Sequence, residues 1–384
     1  MRSFKKILFL SFIFIITVAF NFQDNPAGNW TRQVIPNIGS RQITDITFTD
    51  SLTGYLVANI MSDTSYVLKT TNGGDDWNIV FRNFYATTQV QFLNKDTGYV
   101  WGSRIYKTTN AGVNWISVNN GGISAESMHI LNKDTMWIVL SEGLTGGIFR
   151  TTNGGVNWTN QLSAGSGNPN IIYFYDKNLG FAGRSDILNR MYRTTNAGQT
   201  WELGDFRPFT DIQFVNSLTG WICDNEPDSS MQKTTDGGLT WKRQRLPHEG
   251  GPFLWSRIIN FSVLNKDSLW AVGGTYNYGS GRFRALVYKT TNGGENWGYQ
   301  IPDTSFHIVG QFLHVNFADK NHGWAFNGTT GVRTIKGGDS TTIYTGINQI
   351  SSEVPKSFKL SQNYPNPFNP TTKINYELRN AQSI

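Results

Sequence analysis

The chain of 384 residues is poor in cysteine, in charged residues and in long apolar segments. Its one cysteine, Cys223, provides no disulfide framework, and we expect this thiol to be buried and inert at the end of a predicted strand. Only 16 % of the residues are charged. The longest apolar run, residues 7–20, is shorter than the roughly 20 residues that a transmembrane helix needs. The sequence therefore predicts neither a disulfide scaffold nor a membrane span in the mature protein.

The N-terminus combines basic residues with that apolar run. Arg2, Lys5 and Lys6 precede it, which is typical of a secretory signal peptide. We predict a signal over residues 1–22, with small residues at 17–19 as a cleavage site; a retained membrane anchor is the alternative.

The remaining charge does not indicate a nucleic-acid partner. Without the three basic residues of the signal, 30 Lys and Arg stand against 27 Asp and Glu. Many of the basic residues head repeat units and are spread along the chain, whereas a nucleic-acid binder concentrates them in one stripe. We predict no nucleic-acid binding.

A nine-residue motif recurs through the chain and defines its architecture. The six complete copies start at 69 (KTTNGGDDW), 107, 150, 193, 233 and 289, and a degenerate copy without Trp starts at 333 (RTIKGGDS). Successive copies are 38 to 56 residues apart, which is the spacing expected for the four-stranded blades of a β-propeller.

A second repeat alternates strictly with the first. It is an apolar strand, a polar turn, and then Gly followed by an aromatic residue, as in ITFTDSLTGYLV at 46–57. Two of its seven copies, MHILNKDTMWIV and FSVLNKDSLWAVG, lack the Gly. Each copy predicts two short strands joined by a tight turn. Seven hairpins and seven motif positions predict an all-β fold with a seven-bladed propeller over residues 28–345.

The ends of this region predict how the ring closes. Residues 30–35 match the sequence that follows each repeat turn but have no blade of their own, whereas the last blade lacks its Trp and the strand after it. We predict that residues 30–35 complete blade seven, which leaves no open strand edge. The alternative is that Thr341–Gly346 supplies this strand.

The repeated polar residues predict turn chemistry. An Asn or Asp side chain accepts hydrogen bonds from backbone N–H groups two or three residues further on, and the following Trp starts the next strand between blades. We interpret these residues as structural rather than as ligands or catalysts. They are Asn72, Trp77, Asn110, Trp115, Asn153, Trp158, Asn196, Trp201, Asp236, Trp241, Asn292 and Trp297.

The copy at 234–241, TTDGGLTW, resembles the Asp-box of bacterial neuraminidase repeats (BNR repeats). The whole region 28–345 resembles the propellers of the photosystem II stability/assembly factor family, which implies a non-enzymatic scaffold. The same boxes occur in sialidases, sortilin-type receptors and xyloglucan-cleaving glycosidases. We take the fold from this resemblance and not the photosynthetic role.

No motif for catalysis, a cofactor or a metal is present. The chain lacks G-x-S-x-G, HExxH and phosphate-loop patterns, and the sialidase Arg-Ile-Pro motif is absent. The polar turns at Asp176 and Asp319 lack the later acidic ligands of a calcium loop. A glycoside hydrolase needs two carboxylates about 5–10 Å apart. The pair considered for that role is Asp45 and Asp211, at equivalent positions of two innermost strands.

The C-terminal segment differs from the repeats in composition. After a linker at 346–353, residues 354–384 (VPKSFKLSQNYPNPFNPTTKINYELRNAQSI) resemble the start of the type A C-terminal sorting domain of the type IX secretion system. This resemblance implies a partial β-sandwich, recognition by the type IX machinery, and a protein secreted or held at the surface of a Gram-negative, Bacteroidota-like bacterium via the periplasm. A stiff Pro-rich linker is the alternative.

The repeat spacing also predicts a binding surface. In a four-stranded blade, the hairpin turns and the boxes lie on one side of the ring, and the variable loops lie on the other. The longest step, 56 residues, places two long segments of blade six on the variable side. Their aromatic and basic residues suit binding of a protein or glycan, although ordinary exposed loops are the alternative. The candidate binding residues are Trp255, Tyr276, Tyr278, His248, Arg257, Arg282 and Arg284.

We therefore predict an exported binding scaffold that is not an enzyme, with a cell-surface glycoside hydrolase as the alternative.

Overall fold

The computed structural model describes most of the propeller region. The described residues are 29–60, 64–118, 124–140, 146–163, 169–184, 190–204, 209–224, 231–247, 253–255, 257–277, 283–302, 310–338, 342–343, 359–360 and 376–377. Within these ranges every regular element is a β-strand, and none is a helix that could span a membrane. The predicted signal peptide lies outside the described residues.

The chain divides into two units, Met1–Tyr344 and Thr345–Ile384. In the second unit, two short strands that span residues 359–360 and 376–377 pair antiparallel. The rest of the predicted sorting domain lies outside the described residues.

The first unit contains seven antiparallel sheets, and in five of them four consecutive strands follow chain order from the centre of the ring outward. The first strand of the chain, β1 (Trp30–Gln33), belongs to the last sheet. Blade one consists of β2 (Gln42–Phe48), β3 (Gly54–Asn59), β4 (Ser65–Thr70) and β5 (Asn78–Asn83). Blade two consists of β6 (Thr87–Phe92), β7 (Gly98–Gly102), β8 (Ile105–Thr108) and β9 (Ile116–Val118). Blade three consists of β10 (Ala125–Ile130), β11 (Met136–Leu140), β12 (Gly147–Thr151) and β13 (Thr159–Ser163).

Blades four to seven continue this pattern, with additions to blade six. Blade four consists of β14 (Pro169–Phe174), β15 (Gly180–Arg184), β16 (Met191–Thr194) and β17 (Glu202–Leu203), and blade five of β18 (Asp211–Phe214), β19 (Gly220–Cys223), β20 (Met231–Thr234) and β21 (Lys242–Arg243). Blade six consists of β22 (Phe253–Trp255), β23 (Asn260–Val263), β24 (Leu269–Asn277), β25 (Phe283–Thr290), β26 (Gly298–Gln300) and β30 (Thr342–Ile343). Blade seven consists of β27 (His314–Phe317), β28 (Gly323–Phe326) and β29 (Gly331–Thr334), and β1 completes it. The second unit holds β31 (Lys359–Leu360) and β32 (Tyr376–Glu377). The seven-bladed all-β fold is confirmed.

The Gly of the hairpin repeat has a packing reason. In blade one, Gly54 faces Phe48 across the hairpin, and a Cβ on Gly54 would lie 2.3 Å from the Phe48 ring. Four other blades repeat the pair, as Gly98 with Phe92, Gly180 with Phe174, Gly220 with Phe214, and Gly323 with Phe317. Where the Gly is absent, the Phe is absent too, and the facing pairs are Ile130 with Met136 and Val263 with Leu269. In the two irregular hairpin repeats, both members of the Gly–Phe packing pair are therefore replaced together by other residues.

The Phe rings for which this Gly leaves room pack between blades. Phe48 stacks on Trp324 of blade seven with ring centroids 3.4 Å apart, and Phe317 stacks on Trp270 of blade six at 3.9 Å. Seven hydrophobic clusters of this kind each join two neighbouring blades. The core of the molecule is thus a ring of inter-blade contacts.

The repeated Trp residues take part in the same clusters. Trp297 is fully buried beside Trp221 and Met231 of blade five. Trp77, also buried, contacts Phe326 of blade seven edge-on. The other four are partly buried, each against the preceding blade: Trp115, Trp158, Trp201 and Trp241.

Two faces of the ring differ in construction. We call hairpin face the side formed by the seven turns between first and second strands together with the seven box turns, and loop face the opposite side. On the hairpin face, a box N–H of each blade donates to a carbonyl of its own hairpin turn, as from Gly73 to Leu52 at 2.7 Å and from Gly337 to Asn321 at 2.7 Å. The loop face carries the connections between second and third strands and between blades.

The ring closes through its N-terminal strand. β1 pairs antiparallel with β29, with Trp30 opposite Thr334 and Gln33 opposite Gly331. The alternative closing strand is wrong for the residues described, because Thr342–Ile343 pairs with β26 of blade six instead.

Trp30→Ala tests this closure. Trp30 is 3 % exposed, contacts Phe317 edge-on, and donates its indole N–H to Gln300 Oε1 at 2.7 Å. The substitution should lower the free energy of unfolding by about 3–5 kcal/mol because it leaves a cavity at the ring junction. Urea unfolding measures this change. The matched control is Val34→Ala, at a side chain that is 72 % exposed, which should change stability by less than about 0.5 kcal/mol. Equal stability of Trp30→Ala and the wild type would contradict closure by β1.

Candidate functional site

The innermost strands line a central channel. A cavity of about 360 Å³ opens where these strands begin, and its lining comes from all seven blades. First strands begin on the loop face, so the cavity is the mouth of the channel on that face. We call it the channel mouth.

Seven equivalent positions, one in each blade, form its inner wall. They hold Asp45, Gln89, Ser127, Ile171, Asp211, Asn260 and His314. Four of these side chains accept a backbone N–H from the next blade. The bonds run from Val90 to Asp45 Oδ2 at 2.8 Å, from Ile172 to Ser127 Oγ at 3.1 Å, from Phe261 to Asp211 Oδ2 at 3.1 Å, and from Val315 to Asn260 Oδ1 at 2.8 Å. Each bond satisfies a donor that faces away from its own blade.

A second set of polar side chains lies two residues further along the same strands and repeats the arrangement. Phe48 donates to Asn316 Oδ1 at 3.2 Å, and Phe317 donates to Ser262 Oγ at 3.0 Å. Further bonds run from Phe214 to Tyr173 Oη, from Val263 to Gln213 Oε1 and from Ile130 to Gln91 Oε1. The channel wall therefore joins the blades through side chains.

The two candidate catalytic carboxylates both face the channel mouth. Asp45 also accepts the N–H of Ile46 on Oδ1 at 2.8 Å. Asp211 accepts the N–H of Ile212 at 2.8 Å and the side-chain amide of Asn260 at 2.9 Å. Every oxygen of the pair thus has a protein donor.

Burial raises the pKa of both carboxyl groups. The pKa of Asp45 rises to about 7, mainly because burial disfavours the charged form; its backbone donors oppose this, and the charge of Asp211 adds to it. The pKa of Asp211 rises to about 6 for the same main reason, opposed by its donors. Burial also lowers the pKa of His129 and of His314 to about 4, so both imidazoles are neutral at pH 7.

The arrangement has two chemical readings. Two carboxyl groups with raised pKa in one cavity are a feature of hydrolase sites. Against this, Ser127 and Asn260 occupy the same position in other blades and make the same inter-blade bond without a charge. The bond therefore accounts for a polar residue at this position, and the carboxylate is one of several groups that provide it.

The box residues bond within their own turns. In the first copy, Gly74 N donates to Thr70 Oγ1 at 2.8 Å, and Asp76 N donates to Asn72 Oδ1 at 3.0 Å. The same Gly-to-Thr bond recurs at Thr108, Thr151, Thr194, Thr234 and Thr290, and also at Thr334 in the degenerate copy. The hydroxyl of Thr, which the sequence analysis did not single out, is thus the acceptor common to all seven turns.

Six of the seven box turns also accept hydrogen bonds from the preceding blade. Gly293 O accepts bonds from the indole of Trp221 at 3.3 Å and from Lys233 Nζ at 3.0 Å. Lys233 lies over the Trp221 ring, a cation–π contact of 5.1 Å. Similar pairs occur at Tyr55 with Lys69 and at Trp270 with Lys289. Five of the basic residues that head the repeats therefore connect neighbouring blades: Lys69, Arg193, Lys233, Lys289 and Arg333.

Blade six extends beyond the others on the loop face. Strand β24 continues past a bulge at Gly273, where φ is +133° and a Cβ would lie 2.7 Å from the Ile259 nitrogen. Its extension pairs with β25 on one side and with β22 on the other, with Phe253 opposite Tyr276 and Trp255 opposite Thr275.

The predicted binding residues of blade six are only partly brought together. Tyr276 is 8 % exposed and belongs to the core between blades five and six, so little of its side chain is available to a ligand, and its binding role stays a prediction. Arg257 donates to Gln311 Oε1 at 3.0 Å, and Arg284 donates to Phe283 O at 3.1 Å. His248, Tyr278, Arg282 and the side chain of Trp255 lie outside the described residues.

A second loop-face surface, at blades one and two, was missed by the sequence analysis. It consists of Tyr66, Arg82, Phe84, Tyr85 and Arg104, and we call it the aromatic–arginine patch. Phe84 is 78 % exposed and Tyr85 is 46 % exposed. The only sequence signal was the Phe-Tyr doublet in the loop after β5, because the loop itself has ordinary length.

The turns examined as calcium loops bond to themselves. Asp176 Oδ1 accepts the N–H groups of Asn178 and Leu179, both at 2.7 Å. Asp319 does the same with Asn321 and His322, whose ring nitrogen lies 2.8 Å from the carboxylate. The described part of the chain contains no group of three metal-ligating side chains.

Comparison with solved structures finds proteins of similar fold. The chain is similar to YCF48 bound to a D1 peptide, with 18 % identity, a TM-score of 0.58, and coverage of 80 % of this chain and 97 % of that one. YCF48 from Cyanidioschyzon merolae gives the same identity and TM-score, with 98 % of that chain covered. The GH74 xyloglucanase from Xanthomonas campestris has 13 % identity and a TM-score of 0.58; the match covers 80 % of this chain and 54 % of that enzyme.

No family model and no curated protein matches the sequence. At these identities the structural likeness establishes the fold and not the function.

Asp45→Asn tests the electrostatics of the channel mouth. Because the pKa of Asp45 in the folded protein, about 7, exceeds its ordinary value of 3.8, its contribution to stability is complete below about pH 4 and declines as the pH rises through 7. Asn cannot ionise, so the variant should gain up to about 2–4 kcal/mol of unfolding free energy relative to wild type between pH 4.5 and pH 8. Urea unfolding at several pH values measures this. A wild type that gains relative to the variant with rising pH would show instead that the carboxylate is stabilised in its charged form.

Proposed function

We propose that this chain is an exported, non-catalytic β-propeller that presents a protein- or glycan-binding surface on its loop face. The observation that carries the proposal is the use of the two channel carboxylates. Both accept backbone N–H groups of the next blade, and Ser127 and Asn260 do the same at equivalent positions. Because both carboxylates serve as hydrogen-bond acceptors between blades, their presence in the channel needs no catalytic role to explain it.

The contrast between the two faces supports the loop face as the binding surface. On the hairpin face, the box turns bond to their own hairpin turns and to the preceding blade in a repeated pattern. The loop face carries the features that differ between blades, including the extension of blade six and the aromatic–arginine patch. Variable segments on a rigid frame are where recognition is usually found. A solved structure of similar fold is that of YCF48 bound to a D1 peptide, which is consistent with this proposal.

Export is part of the proposal and rests on the sequence. Residues 1–22 have the pattern of a signal peptide, and residues 354–384 resemble a type IX sorting domain. We propose that the chain reaches the cell surface or the medium through the periplasm, with the type IX machinery as a partner. Fusion of residues 354–384 to a reporter in a type IX-competent cell tests the second step: export of the reporter to the surface supports the proposal, and retention in the periplasm contradicts it.

A glycoside hydrolase is the second candidate. It is favoured by the raised pKa of Asp45 and Asp211 in one cavity and by the fold-level likeness to a GH74 xyloglucanase. In that case one carboxyl group would act as acid and the other as base or nucleophile. The donors that occupy all four of their oxygens argue against this reading.

Hydrolysis assays separate the two candidates. The purified chain and its Asp45→Asn and Asp211→Asn variants are incubated with xyloglucan, other β-glucans and sialyl-oligosaccharides, and released sugar is measured. We expect no release above the level of the variants, because the carboxylates serve as inter-blade acceptors. Release by the wild type that either substitution abolishes, with folding retained, would establish the hydrolase and refute the scaffold.

A further inference from the structure

The aromatic–arginine patch is built on a buried polar network. Asn83, at the end of β5, is 6 % exposed; its side-chain amide donates to Tyr85 O at 3.0 Å and to Thr87 Oγ1 at 3.1 Å. Its carbonyl oxygen accepts the N–H of Tyr85 and the hydroxyl of Tyr106 from blade two. Ser65, 1 % exposed, donates to Tyr85 O and accepts the N–H of Thr87.

These bonds hold the loop between blades one and two at several points. Since buried polar groups are costly unless they are all satisfied, the network favours one conformation of the loop. The loop nevertheless places Phe84 with 78 % of its side chain exposed, against the edge of the Tyr85 ring. A large apolar side chain that is exposed on a loop whose backbone is held in place has the character of an interface anchor.

Two arginines of the patch each lie over an aromatic ring. Arg82 lies opposite Tyr66 in the β4–β5 pair, and its guanidinium lies 5.2 Å from the centre of the Tyr66 ring. Arg104, in the turn between β7 and β8, lies 5.0 Å from the centre of the Tyr85 ring. Stacking on an aromatic ring orients a guanidinium while leaving its N–H groups open to a ligand.

Neither arginine has an acidic partner within the part of the chain that the structure describes. The ion pairs found there involve other residues, such as Arg333 with Asp75 across the ring junction. Positive charge that is oriented, uncompensated and next to an exposed aromatic side chain is complementary to carboxylates.

We infer that the aromatic–arginine patch binds an acidic peptide segment of a partner protein, with Arg82 and Arg104 contacting its carboxylates and Phe84 contacting an apolar side chain between them. This inference rests on the proposed binding function and specifies its surface and the chemistry of its partner. The fixed loop lowers the ordering cost of binding, because Phe84 is already placed before the peptide arrives.

Fluorescence anisotropy with synthetic peptides tests the inference. The probe is a labelled peptide of alternating Glu and Asp with one central Phe; a peptide with Gln and Asn in place of the acids, and a basic peptide with Lys, serve as comparisons. The full chain should bind the acidic peptide, and Arg82→Gln/Arg104→Gln should weaken binding at least about tenfold. Phe84→Ala should weaken it by a similar factor. Binding should also weaken as salt rises, because the contact is between charges near the surface.

Matched controls separate the patch from overall charge and hydrophobicity. Arg32→Gln/Arg243→Gln removes two exposed arginines from outer strands, and Val113→Ala removes a side chain that is 72 % exposed on the hairpin face. Each should change affinity less than about twofold. Melting curves of all variants confirm that they are folded.

The outcomes distinguish this inference from the broader function. An equal loss in the Arg32/Arg243 control would show non-specific attraction and overturn the inference, as would failure to bind the acidic peptide. Binding of the neutral or basic peptide that survives Arg82→Gln/Arg104→Gln would also overturn it, yet would leave the propeller as a protein-binding scaffold. Only hydrolysis dependent on Asp45 or Asp211 would remove the proposed function itself.

Discussion

Neighbouring blades of this propeller share no backbone ladder among the described strands, so the ring depends on side chains that satisfy the backbone of the next blade. At the channel, polar residues of one innermost strand accept N–H groups of the following one. At the hairpin face, an aromatic and a basic side chain of one blade bind a carbonyl in the next box turn. Between these two layers lie the seven hydrophobic clusters. The three kinds of contact together turn separate four-stranded sheets, each too small to be stable alone, into one domain.

This constraint explains which residues repeat and which vary. The Thr of each box is buried because its hydroxyl accepts a hydrogen bond inside the turn, and in five hairpins the Gly leaves room for the Phe that stacks on the previous blade. At the channel wall, four of the seven equivalent positions accept a hydrogen bond from the next blade, and Asp, Ser and Asn all serve in this role. The loop face differs most from blade to blade, and we therefore place the binding surface there.

The sequence predicted the fold well because periodicity reports the blades directly. Spacing gave the blade number, and the unpaired segment at residues 30–35 identified the strand that closes the ring. It was a weaker guide to surfaces. Loop length drew attention to blade six, where Tyr276 is buried because its strand continues into the core between blades. The patch at Phe84 lies in a loop of ordinary length, and only the three-dimensional pairing of Arg82 with Tyr66 and of Arg104 with Tyr85 reveals it. The inter-blade hydrogen bond of Asp45 likewise joins two residues that are 45 positions apart in the chain, so the sequence alone does not reveal it.

Hydrogen exchange at Ile172 measures the inter-blade bond most directly. Its N–H lies on an innermost strand and donates to Ser127 Oγ of the preceding blade, at 3.1 Å. The account predicts that this amide exchanges about as slowly as the core strands in the wild type, and that Ser127→Ala accelerates its exchange selectively while amides of blades one and seven keep their protection. Exchange of the Ile172 amide in the wild type at the rate of an open loop would contradict the claim that side chains of one blade satisfy the backbone of the next.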